Sequence, residues 1–343
     1  MKKLNVILIF LLLFCFNHSF AQSNYFISNR INLEGDGGWD CLLMDESSGR
    51  LFVSHGSIVQ VVDVIQGKVI GTISGLKGVH GIEIAAKFNK GFITNGRDTS
   101  VTIFDLNDYS VLTKTTVTGA SPDALIYDSF SKKVFVFNGR SSNATVIDAN
   151  KNTVVETIPL DGKPEFCVSD GKGKVFVNIE DKNEISVINS STLKVEKSWS
   201  ILPGEEPSGL AIDNTNHRLF TVCGNKLLVV VDAENGNIIT TLPIGDGVDG
   251  VAFDPVLNRI YSSNGEGTVT IIQEENANSY KIIETATTQK GARTIAIDIK
   301  THHIYLPCAE YGETPEKTND NPNPRPPIKP GTFMIIDLSS REF

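Results

Sequence analysis

Short apolar runs alternate with polar turns along nearly the whole chain. From Ser121 to Gly139 the sequence reads SPDALIYDSFSKKVFVFNG. A turn leads into an apolar run that ends in Asp; a polar turn and a second apolar run with an aromatic follow. The same order returns as EPSGLAIDNTNHRLFTVCG and as VDGVAFDPVLNRIYSSNG. Aligning the residue that closes the first run puts Asp45, Ala85, Asp128, Asp170, Asp213, Asp254 and Asp298 in register, 40 to 44 residues apart. The second runs are LFVSH, GFITN, VFVFN, VFVNI, LFTVC, IYSSN and IYLPC. Third runs end near Asp63, Asp105, Asp148, Asn189, Asp232, Gln273 and Asp337, and a fourth run such as KVIGTI or IITTL closes most units. Each run is short, rich in Val, Ile, Thr and Phe, and bounded by Gly, Asn, Asp or Pro, which predicts strands joined by tight turns. No useful stretch carries helical periodicity.

Four strands per unit, seven times, predict a β-propeller. Runs such as VFVFN and LLVVV are apolar on both faces, as a sheet packed between two neighbouring sheets requires. The chain ends predict how the ring closes. After Asp337 only LSSREF remains, while NYFISNRINL near the start matches SYKIIETATT, the last run of the sixth unit. The expected fold is therefore all-β: a seven-bladed β-propeller of four-stranded antiparallel blades, closed by the N-terminal strand completing the last blade. Closure of this kind removes free sheet edges.

Residues 1–21 read as a cleavable signal peptide. Lys2 and Lys3 precede an apolar stretch from Val6 to Phe16, and Ser19 and Ala21 precede the expected cut. The stretch is short for a membrane span, so the mature chain, 22–343, is expected to be one periplasmic or secreted domain, a monomer without a membrane span. Cleavage removes two positive charges from a formal net charge of −9. That acidity argues against nucleic acid as a partner, since phosphate backbones are held by clustered Lys and Arg. Cys41, Cys167, Cys223 and Cys308 form no CxxC pair, which excludes zinc-ribbon and thioredoxin chemistry. Cys41 with Cys308, and Cys167 with Cys223, fall in neighbouring units, although buried thiols are the default expectation. GDGVDG at Gly245–Gly250 matches a dinucleotide fingerprint, but strands flank it and no helix follows, so it reads as a turn between units.

The unit LFTVCGNKLLVVVDAENGNIITTLPIGDGVDGVAFDP resembles the YVTN-repeat β-propeller family of exported, YncE-like bacterial proteins, and the final unit IYLPCAEYGETPEKTNDNPNPRPPIKPGTFMIIDL resembles that family's closing repeat. The resemblance spans almost all of the mature chain and implies seven blades outside the cytoplasm. It does not imply one chemistry, because propellers host binding modules and several enzyme classes. Nowhere does the full YVTN tetrad occur; FITN and FTVC stand in its place.

Propeller geometry turns the repeat into a candidate site. Five residues before the aligned Asp, each unit carries a polar or charged residue: Asp40, His80, Asp123, Glu165, Ser208, Asp249 and Arg293. The ends of the second runs, expected on the same face, add His55, Asn95, Asn138 and Asn264. Such a ring suits a divalent cation held by oxygen ligands, a small polar molecule or a protein partner. A Pro-rich insertion at residues 309–332 is expected as a flap over this face, with Tyr311 and Arg325 as ligand contacts. The favoured function is a non-catalytic exported propeller that binds a ligand at the channel face. The alternatives are a metal-dependent hydrolase of the lactonase type, with His80 as base, and single-stranded nucleic-acid binding. His217, His302 and His303 fall on the opposite face and are expected to be exposed and inert.

Overall fold

The computed structural model describes residues 23–342 except 36, 319–321 and 323. The signal segment lies outside the described residues. Seven four-stranded sheets circle one axis, and each is built from consecutive antiparallel strands except the last. We number the blades in chain order. Their inner strands are Trp39–Asp45, Val79–Ala85, Pro122–Asp128, Pro164–Ser169, Pro207–Asp213, Val248–Asp254 and Ala296–Asp298. In the seventh blade the outermost strand is Tyr25–Asn32, paired antiparallel with Met334–Ser340. The expected closure by the chain's own beginning is therefore what the structure has.

The second and third strands of every blade are buried on both faces, as Lys133–Asn138 illustrates. Adjacent blades press these faces together. Phe52 of blade 1 meets Phe104 of blade 2 with ring centroids 5.9 Å apart, and Phe220 of blade 5 meets Phe253 of blade 6 at 5.2 Å. This packing supplies the apolar burial that a lone four-stranded sheet would lack.

Polar contacts reinforce the closure. The carboxylate of Glu284, on the outer strand of blade 6, accepts the backbone N–H groups of Asn24 (3.1 Å) and Tyr25 (3.2 Å). Arg259 donates to the Tyr25 hydroxyl at 2.9 Å and pairs with Glu342 at 2.7 Å. The Tyr25 and Tyr261 hydroxyls are 3.1 Å apart.

Of the opposite-face histidines expected to be exposed, only one is. His217 is exposed. His302 Nδ1 lies 2.7 Å from the buried carboxylate of Asp254 in the preceding blade, and His303 Nδ1 lies 2.8 Å from Asp337. The turns around these histidines fold back onto buried Asp residues, which need donors. Cys41, Cys167, Cys223 and Cys308 are all thiols. Gly245–Gly250 joins blade 5 to blade 6 without a helix, as expected. Among the described residues no helix is long and apolar enough to cross a membrane.

Candidate functional site

Every full-length inner strand begins with a register break. Pairing with the second strand slips between Trp39 and Leu42, Val79 and Ile82, Pro122 and Leu125, Pro164 and Cys167, Pro207 and Leu210, and Val248 and Gly250. The polar position of the repeat sits inside that break each time. Bulges of this kind bend a strand and re-aim its side chains. In consequence Asp40, His80, Asp123 and Glu165 line one cavity of about 250 Å³ at the channel mouth.

His80 organises the cavity. Its Nδ1 is 2.6 Å from Asp40 Oδ2 and 3.5 Å from Asp123 Oδ1, so one ring nitrogen stands between two carboxylates. The bond to Asp40 raises the His80 pKa, against the effect of burial. Burial, and then the neighbouring Asp40 charge, lift the Asp123 carboxyl to about 6. Glu165 is pushed up to about 7, mainly by burial, although Lys163 Nζ lies 2.7 Å from its Oε1. Lys163 also pairs with Glu180. Asp249 rises to about 6 through burial; Arg293, whose Nε is 3.3 Å away, offsets part of that shift. The cavity thus gathers carboxyl groups whose ionised forms are disfavoured mainly by burial.

Two glycines permit the close approach. A Cβ on Gly96 would meet the His80 ring at 2.8 Å, and one on Gly81 would meet the Asp123 carbonyl at 2.6 Å.

The predicted residues divide into three groups. Asp40, His80, Asp123 and Glu165 meet in the acidic cavity. Arg293 lies before the short inner strand of blade 7, pairs with Asp249, and lines a second cavity together with Tyr311 and Arg325. Ser208 lines neither cavity.

The second-strand residues form the third group, and here the structure corrects the expectation. His55, Asn95, Asn138 and Asn264 are buried inside their blades. The amides of Asn95, Asn138 and Asn264 donate to Thr102 (2.9 Å), Thr145 (3.0 Å) and Thr270 (3.0 Å) on the third strands. His55 packs on Phe333, ring centroids 4.1 Å apart, and its Nδ1 is 3.3 Å from Gln60 Oε1. Lacking a register break at that point, the second strand keeps its alternation and turns these side chains inward. Trp39 is packed as well, stacked on Phe333 at 5.3 Å.

Three kinds of residue escaped the sequence reasoning. Glu83 lies in the acidic cavity, its carboxyl raised to about 7 by burial; the only hint is a Glu inside the apolar run GIEIA. Cys41 and Cys167 also line the cavity, and burial keeps both as thiols. A third set clamps the backbone of the site. Thr94 donates to the Asp123 carbonyl (2.7 Å), Asn178 to that of Ser208 (2.8 Å), Ser263 to that of Arg293 (2.5 Å) and Thr294 to that of Asp40 (2.5 Å). Each clamp crosses from one blade to the next. The residue before the end of the second run supplies three of them, so the repeat itself carried that signal.

No family model matches the chain, and no curated protein matches it. Among solved structures the chain is similar to Kuenenia stuttgartiensis hydrazine synthase, with a TM-score of 0.68 at 17% identity, over 80% of this chain and 94% of that one. Likeness at this identity shows the shared propeller fold and leaves the chemistry to the site.

Proposed function

We propose that this protein is an exported, YVTN-type propeller that binds a divalent cation, or a small ligand with a cationic group, in the acidic cavity at its channel mouth. One observation carries the reading: ligand atoms of Asp40, His80 and Asp123 lie within 4.8 Å of one another. Glu165 and Glu83 line the same cavity. One imidazole nitrogen with carboxylate oxygens suits Zn²⁺ or Mn²⁺ better than Ca²⁺, which prefers oxygen alone. Binding would displace the proton shared between His80 and Asp40, so uptake should release protons. Export rests on the segment from Lys2 to Ala21, and the family on the repeat grammar and the closing unit.

Titration calorimetry with Zn²⁺, Mn²⁺ and Ca²⁺ tests the proposal. The intact protein should bind one equivalent of Zn²⁺ or Mn²⁺, and Asp40→Asn with Asp123→Asn should weaken binding at least about a hundredfold. Unchanged affinity in the double variant overturns it. The hydrolase reading draws on the same cavity, since a cation there would polarise a lactone carbonyl. Chelator-sensitive turnover of a lactone and ester panel would favour catalysis over binding. The acidic channel mouth disfavours single-stranded nucleic acid.

A further inference from the structure

A second cavity, of about 420 Å³, opens beside the flap and has the opposite charge. Lys290, Arg293 and Arg325 line it together with Trp39 and Tyr311, and among the described residues no carboxylate lines it. Among the described residues Arg293 pairs with Asp249 across the rim, while Lys290 and Arg325 have no ion-pair partner. With Arg293 paired to Asp249, Lys290 and Arg325 remain without an acidic partner among the described residues, and their positive field attracts an anion.

The walls are built. Tyr311 pairs with Ile328 across the base of the flap, and Gly312 N–H donates to the Pro327 carbonyl at 2.8 Å. Lys329 N–H donates to the Glu310 carbonyl at 2.8 Å, and the two side chains pair at 3.1 Å. The phenol of Tyr311 rests on Gly291, where a Cβ would meet its hydroxyl at 2.4 Å. Trp39 lies 6.3 Å from Tyr311 between ring centroids. Its indole N–H is buried and has no partner among the described residues. The volume falls within the range of small-molecule sites, which combine apolar walls with a few convergent polar groups.

The geometry points to a binding site for a small aromatic carboxylate. The carboxylate would meet Lys290, Arg293 and Arg325, with Arg forks giving paired hydrogen bonds. The ring would lie against Tyr311 and Trp39. The site shares no lining residue with the acidic cavity. Because the flap supplies Tyr311 and Arg325, ligand affinity is tied to the insertion that makes the seventh unit unlike the other six.

Calorimetry on the full protein with four probes tests this assignment: benzoate, acetate, phenyl phosphate and inorganic phosphate. Benzoate should bind saturably and more tightly than acetate or phosphate. Lys290→Ala with Arg325→Ala should weaken benzoate at least about tenfold without lowering the melting temperature, because both side chains are exposed. Tyr311→Leu should weaken benzoate and leave acetate unchanged. Equal affinity for acetate and benzoate, or unchanged affinity in the double variant, overturns the site. Phenyl phosphate bound in preference to benzoate overturns the carboxylate assignment.

Discussion

The hydroxyl of Thr294 in the last blade donates to the carbonyl of Asp40 in the first, at 2.5 Å. Residues far apart in sequence are thereby joined at the point where the ring closes and where the acidic cavity begins. Holding the rim together and positioning the site are one structural task, and the consequences can be separated by substitution.

The inter-blade clamps should contribute to stability and to affinity together. Thr294→Val keeps the shape and removes the donor to Asp40, leaving a carbonyl without that hydrogen bond. The expected cost is about 1–3 kcal/mol in chemical denaturation, with weaker cation binding. Thr94→Val, which releases the Asp123 carbonyl, should behave alike. Full cation affinity in both variants would show that the clamps serve the fold alone.

Closure by the N-terminal strand predicts a global effect from a terminal change. Ile31 and Leu33 are buried at the seam between the chain ends. Ile31→Ala should cost about 2–5 kcal/mol, and removing residues 23–34 should lower the stability of all seven blades together. A single cooperative transition shifted to lower temperature is the expected melt. Loss of the seventh blade's signal alone, with the rest unmoved, would contradict a ring held by its ends.

The acidic cavity predicts an unusual pH dependence. In the cavity Asp123 holds its proton up to about 6, and Glu165 and Glu83 up to about 7; Asp249, which is not part of the cavity lining, holds its own up to about 6. Each value is raised on folding, so between the ordinary carboxylate range and the raised value the folded state binds more protons than the unfolded one. Stability from these groups is complete at the acid end and drains away as pH rises towards about 7. His80, also raised, acts in the same direction: its contribution is present below its ordinary value and lost above its folded one. The metal-free protein should therefore melt higher near about pH 5 than near about pH 8, and Zn²⁺ should narrow the difference at the alkaline end. Asp123→Asn with Glu165→Gln should flatten the profile; an unchanged slope in that variant would remove the cavity as its source.

The corrected residues provide a control. Asn138 is buried and donates to Thr145, away from the channel. Asn138→Ala should lower stability by about 1–3 kcal/mol with cation affinity intact. Asp123→Asn should do the reverse, relieving a strained charge while abolishing binding. If Asn138→Ala weakened binding as strongly as Asp123→Asn, the division between blade interior and channel mouth would fail.

The fold was legible because a repeat constrains it many times over. Asp128, Asp213 and Asp254 recur at one place in the unit, strand signals surround them, and only a closed ring of blades buries both faces of runs such as VFVFN. The closing strand was legible too, since the orphan run at Tyr25–Asn32 matches a fourth strand. Membership of the polar ring followed from counting back from the aligned Asp.

Side-chain direction along each strand was not legible. A strand alternates its faces with a period of two, so a slip of one residue sends a side chain to the other face. The register break at the head of the inner strands turns Asp40, His80, Asp123 and Glu165 towards one cavity; its absence from the second strands turns Asn95, Asn138 and Asn264 into their blades. Composition is nearly the same in both places, and hydrogen-bond register between strands decides the outcome. The chain alone therefore determined how many blades form, how they close and which residues gather near the axis. Register within each blade decided which of those residues share a cavity, because the break between its first and second strands sets where the side chains turn.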